Sequence, residues 1–158
     1  MNRIDSSPID STHIDPTHID PSDEQITTMV TSAIDTPIVM VNLNRYRERA
    51  VYDAPGPDDD VSGRDAYMRY GEVALRAMGE VGARVLWGVP TEAVFVGCDH
   101  DAYDEVLAVW YPSRAAFVKM TDIDWYRDAL VHRTAALEHA SIIACTGPAT
   151  PELRRPGA

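Results

Sequence analysis

Apolar segments of two different periods alternate along this chain, and their order admits few folds. A near-continuous apolar run at 38–43, interrupted only by Asn42, reads as a strand that is central or covered on both sides. Residues 63–81 place Tyr67, Tyr70, Ala74, Leu75, Met78 and Val81 at helical spacing, with Gly82 as the stop. A second strand is predicted over 84–89. Pro90 and Thr91 break it, 93–96 continue as strand or hairpin, and 98–103 form a loop. Residues 105–111 alternate: Val106, Ala108 and Trp110 share one face, Leu107, Val109 and Tyr111 the other. A helix is predicted over 113–120, interrupted near Asp122 and resumed over 124–138, followed by a strand over 141–146. This β-α-β-β-α-β order is the split pattern of a ferredoxin-like α+β domain with an antiparallel sheet. Both helices then cover one face of the sheet and leave the other bare. The strands carry large side chains such as Trp87, Trp110 and Tyr111. A bare apolar face calls for a partner, and two such sheets face to face close a dimeric α+β barrel, so a homodimer is expected.

The flanks read differently. Ile-Asp recurs every five residues, at Ile4-Asp5, Ile9-Asp10, Ile14-Asp15 and Ile19-Asp20, with prolines at 8, 16 and 21. Such units cannot bury a core, so residues 1–21 are expected to form a flexible arm. His13 and His18 share the spacing but make a weak metal pair. Ser22 and Gln25 then form a capping box that opens a short helix, within 22–34. Its Ile26, Met29, Val30 and Ala33 are expected to pack on the main domain, which spans 22–146 with this helix included. The loop at 47–62 and the Pro-rich tail at 147–158 read as solvated and disordered, respectively.

Charge narrows the partners. The formal net charge is -11, which opposes nucleic acid and anionic membranes. Residues 1–35 hold seven acids and one base, Arg3. Residues 1–25 carry no signal-peptide core, and no run approaches the ~20 apolar residues of a spanning helix. Cys98 and Cys145 lie in apolar β-like runs and are expected to be buried free thiols in a reducing cytoplasm. No GxGxxG, P-loop, HExxH or clustered Cys/His set signals a nucleotide or metal, so no cofactor is expected.

Several runs resemble one family. They are PIVMVNLNRY at 37–46, GRDAYMRYG at 63–71, DEVLAVWYPSRAAF at 104–117, and the stretch from Trp125-Tyr126 to HRTAAL at 132–137. Together they resemble the family called domain of unknown function 1330, and IDPSDEQ at 19–25 looks like the leader of its longer members. The resemblance spans 19–146 and implies the dimeric α+β barrel superfamily, with a pocket between sheet and helices. Relatives there include haem-degrading and cofactor-free monooxygenases, polyketide cyclases and isomerases, so it implies no single reaction. Asn42 and Arg45 fall on the family's Asn-Leu-x-Arg motif. Asn44 departs from the pattern, where an apolar residue is expected, and is placed at the pocket mouth.

Asn42, Arg45 and His132 are the candidate catalytic residues. Asn42 either bonds a loop or holds a substrate carbonyl or oxyanion. Arg45 either pairs with an acid such as Glu105 or clamps a carboxylate or enolate. His132 is either an ordinary helical residue or a general base. His100 and His139 make weaker cases. Tyr70, Trp87, Trp110, Trp125, Glu105 and Arg133 are the candidate substrate-binding residues. Tyr67 and Tyr126 join the aromatic set, whose alternative is ordinary core or dimer interface. Two functions follow: a small-molecule enzyme acting on an apolar carbonyl compound (cyclase, isomerase or cofactor-free monooxygenase), or a non-catalytic binding or structural homodimer.

Overall fold

The computed structural model describes residues 19–33, 35–147 and 149–150. Most of the expected arm and tail therefore lies outside the described residues. The chain order is α1 (Asp23–Thr31), β1 (Ile38–Tyr46), α2 (Gly63–Glu80), β2 (Arg84–Pro90), β3 (Glu105–Tyr111), α3 (Arg114–Thr121), α4 (Asp124–Ala136) and β4 (Leu137–Thr146). The four strands form one antiparallel sheet in the order β2-β3-β1-β4. That order and connectivity are those of a ferredoxin-like α+β fold.

The strand alternation decides what each face carries. On β1, Ile38, Met40, Asn42 and Asn44 share a face with Tyr111, Val109, Leu107 and Glu105 of β3. Ile38, Met40, Val109 and Tyr111 are buried there with Ala74, Ala77 and Met78 of α2, Met120 of α3 and Tyr126 of α4. The opposite face holds Val39, Val41 and Leu43 beside Trp110, Ala108 and Val106, with Trp87, Val89 and Ile143 on the flanking strands. Trp87, Val89 and Ile143 remain largely exposed. The helices thus pack on one side only.

Gly63 fixes how the layers meet. A Cβ there would lie 2.3 Å from the Arg47 carbonyl oxygen and 2.6 Å from that of Ala136. Its N–H donates to Arg47 O at 3.1 Å, which seats the start of α2 on the end of β1. Gly82 follows α2 with φ at 71°, the left-handed conformation that closes a helix.

Several expectations need correction. Residues 137–140 are strand, because Tyr46 pairs with Leu137 and Arg45 with His139 across a bulge, which puts Leu137 in the core. Residues 93–96 form no strand and leave Phe95 fully exposed. Both cysteines are free but exposed, Cys98 in the loop and Cys145 on the edge strand. α1 has the expected capping box, yet no residue of it is buried, and only Met29 packs against the core. Leu75 points outward. The 47–62 loop is tied down at both ends: Arg47 N donates to Ala136 O, Val51 N to Ala135 O and Ala50 N to Val61 O.

Candidate functional site

Beneath the sheet, where β1 ends and β3 begins, polar side chains converge. Asn44 is 2% exposed. Its Nδ2 donates to the Tyr67 hydroxyl at 3.0 Å and to Glu105 Oε2 at 3.5 Å. The Tyr46 hydroxyl donates to the same Oε2 at 2.6 Å. Register explains the meeting, since Asn44 and Glu105 are cross-strand partners on the helix face. The rings continue inward along α2: Tyr46 to Tyr67 at 5.2 Å, and Tyr67 to Tyr70 at 5.4 Å. The Tyr70 and Tyr126 hydroxyls then share a hydrogen bond of 2.8 Å. Arg133 of α4 is buried, bonded to Asp20 Oδ1 at 2.9 Å and to the Ile19 carbonyl.

These hydroxyls are held neutral. Burial pushes Tyr46 well above its ordinary value, and the Glu105 carboxylate adds to it. Burial likewise raises Tyr67 and Tyr70, and the neighbouring Tyr126 hydroxyl raises Tyr70 further. The Arg133 charge works the other way on both. The cluster is therefore a set of protonated hydroxyls beside one carboxylate and one guanidinium. It can donate to an oxygen and accept a proton.

No family model matches the sequence, and no curated protein does. Solved structures do, two of them of one protein. A crystal structure of RPA0582, a protein of unknown function from Rhodopseudomonas palustris, is 34% identical. The match covers 85% of this chain and 98% of that one, with a TM-score of 0.75. A crystal structure of methylated RPA0582 protein is 33% identical over 89% and 98%, with a TM-score of 0.76. This chain belongs to the RPA0582 family.

Within this RPA0582-family chain the predicted residues do not form one site. Tyr70, Glu105 and Arg133 gather in the buried cluster. Asn42 lies on the same face, but its Nδ2 is spent on the backbone oxygens of Met40 at 3.0 Å and Leu107 at 3.4 Å. Arg45 does not join it, because a separation of three along a strand points the two side chains to opposite faces. Arg45 Nη1 donates to Asp99 O at 3.2 Å and its Nε lies 3.7 Å from Glu138, not Glu105. His139 pairs with Arg45 across the strands, with the Tyr103 hydroxyl 3.0 Å away and the His100 ring at 4.2 Å. His132 is remote from Asn42 in function: its Nδ1 bonds the Tyr52 hydroxyl of the 47–62 loop at 2.8 Å. Trp87 and Trp110 sit on the bare face, and Arg84 lies over the Trp110 ring at 5.2 Å. Trp125 lies beneath Arg76 at 4.4 Å on the helix layer.

Sequence reasoning missed Asn44 and Tyr46 as site residues. The signal was present: an Asn at an inward position of a buried strand demands a partner, as does a Tyr two residues on. Among the described residues no three His, Cys, Asp or Glu side chains converge as metal ligands, and no helix is long and apolar enough to cross a membrane.

Proposed function

We propose that this chain is a small-molecule enzyme of the domain of unknown function 1330 family that removes a proton next to a carbonyl in an apolar compound. One observation carries the reading: Tyr67, Asn44, Glu105 and Tyr46 form a single polar chain that runs from the buried Tyr67 and Asn44 to the half-buried Glu105 and Tyr46. A buried polar network costs more than an apolar core of the same volume unless it serves specificity or chemistry. The Tyr67 hydroxyl accepts from Asn44, so its own proton is available to a ligand oxygen. Glu105 takes both of its bonds on Oε2, leaving Oε1 to accept a proton. The α-carbon proton passes to Glu105, the C–H electron pair forms the C=C bond of the enolate, and the C=O π pair moves to the oxygen, held by Tyr67. Cyclisation, isomerisation and cofactor-free oxygenation all begin with such an enolate. The test is exchange of the methyl protons of acetophenone in heavy water. The wild type is expected to accelerate it, and Glu105→Gln to abolish the acceleration at an unchanged melting temperature. Exchange equal in both proteins would refute the reading.

The assembly belongs to the same proposal: the bare sheet face meets a second copy of this chain. Support comes from Trp87, Val89 and Ile143, which are 43%, 50% and 53% exposed on one continuous face.

A further inference from the structure

Arg133 is a buried cation whose partners come from outside the sheet-and-helix body. Its side chain is 10% exposed, whereas its carboxylate partner Asp20 is 61% exposed. Among the described residues its hydrogen bonds run to Asp20 Oδ1 and the Ile19 carbonyl, both ahead of α1. A guanidinium this buried is expensive unless paired. Here the pairing depends on a solvent-facing dipeptide. Ile19 packs on the cluster of Ala66, Tyr67, Ala136 and Leu137, so its apolar side chain and the Asp20 carboxylate occupy neighbouring positions. The charge of Arg133 also reaches the Tyr67, Tyr70 and Tyr126 hydroxyls. Tyr67, against which Ile19 packs, joins the seat to the tyrosine cluster.

We propose that Arg133 and the apolar seat under Ile19 bind the carboxylate and hydrocarbon ends of an amphiphilic substrate, and that Ile19-Asp20 is an internal stand-in which that substrate displaces. This deepens the proposed function and rests on it, naming the substrate class as an apolar carbonyl compound that also bears a carboxylate. A planar guanidinium suits a carboxylate through two parallel N–H bonds, which an exposed Asp can surrender. The sequence adds weight, because Ile4-Asp5, Ile9-Asp10 and Ile14-Asp15 repeat the seated pair. A copy carried on the same chain competes as an intramolecular ligand, so all four Ile-Asp pairs bear on the occupancy of the seat.

The test is calorimetric titration of the full chain with hexanoate, hexanamide and acetophenone. The variant changes Asp5, Asp10, Asp15 and Asp20 together to Asn, so that no copy refills the seat. It is expected to bind hexanoate at least about ten-fold more tightly than the wild type, with hexanamide unchanged. A control with Glu24, Glu72, Glu80 and Glu92 changed to Gln removes equal charge and should show no gain. The blocked dipeptide acetyl-Ile-Asp-amide should compete with hexanoate on the Asn variant, a readout that needs no change to Arg133. Equal hexanoate affinity in wild type and variant, or a gain matched by the Gln control, overturns the inference. If acetophenone still binds in that event, only this inference falls. If acetophenone binds neither protein, the reading of the tyrosine site falls with it.

Discussion

Asn44 shows what one inward polar residue commits a fold to. Its amide donates to the Tyr67 hydroxyl and to Glu105, so removing it takes the donor from the buried Tyr67 hydroxyl, while Glu105 keeps the bond from Tyr46. Asn44→Ala is expected to cost ~1–3 kcal/mol, measured by urea unfolding, because an unpaired buried group loses its full hydration. Asn44→Leu with Tyr67→Phe, Glu105→Met and Tyr46→Phe is expected to lie within ~1 kcal/mol of wild type, since a matched apolar replacement relieves rather than strands polar atoms. The tyrosines also predict a pH dependence. Burial raises Tyr46, Tyr67, Tyr70, Tyr111 and Tyr126 above their ordinary 10.0. The unfolded chain therefore loses these protons first. The stability they give is complete below about pH 10 and falls as pH rises beyond it, by up to ~1.4 kcal/mol per pH unit for each tyrosine. Unfolding free energies at about pH 9 and pH 11 check the sign, and Tyr111→Phe should flatten the fall. At this scale the alternation of β3 disclosed two faces, but not which of them was inward nor which residues met. Asn44 was marked only as an odd residue, and Asn42 and Arg45 looked like a pair because a linear motif hides the two faces of a strand.

Elements were more legible than contacts. The capping box at Ser22 and Gln25, the break between α3 and α4, and the stop at Gly82 rest on local chemistry, and all three are where local chemistry puts them. The start of β4 was not legible. Residues 137–140 follow a helix without a Gly or Pro, and only pairing with β1 across the bulge pulls them into the sheet. The apolar stripe of α1 was equally misleading, since Ile26 and Val30 stay exposed, at 46% and 57%. Gly63 belongs to this scale. Its missing Cβ lets α2 start against two backbone carbonyls, which cannot rotate away as side chains do. Gly63→Ala is expected to lower stability by about 3 kcal/mol, read by urea unfolding, while Gly71→Ala, in open space, should raise it slightly.

For the whole molecule, the fold class followed from the order of periodic segments, and the RPA0582 match is consistent with it at 34% identity. Assembly is a separate matter. If the bare sheet face meets a second copy, Ile143→Asp places a charge in that interface while its own strand stays paired. Light scattering should then find a dimer for the wild type and a monomer for the variant, with little change in melting temperature; a monomeric wild type contradicts the proposal. Function at this scale was the least legible, because the side chains of the buried cluster come from β1, β3, α2 and α4, which only the fold brings together. The account stands or falls on whether that cluster meets a ligand. The most direct measurement is a nuclear magnetic resonance titration with acetophenone that follows the Asn44 side-chain amide. Saturable movement of that signal, weakened about ten-fold or more in Tyr67→Phe, is the predicted result. An Asn44 amide that stays still while the bare sheet face or the surface shifts would contradict it.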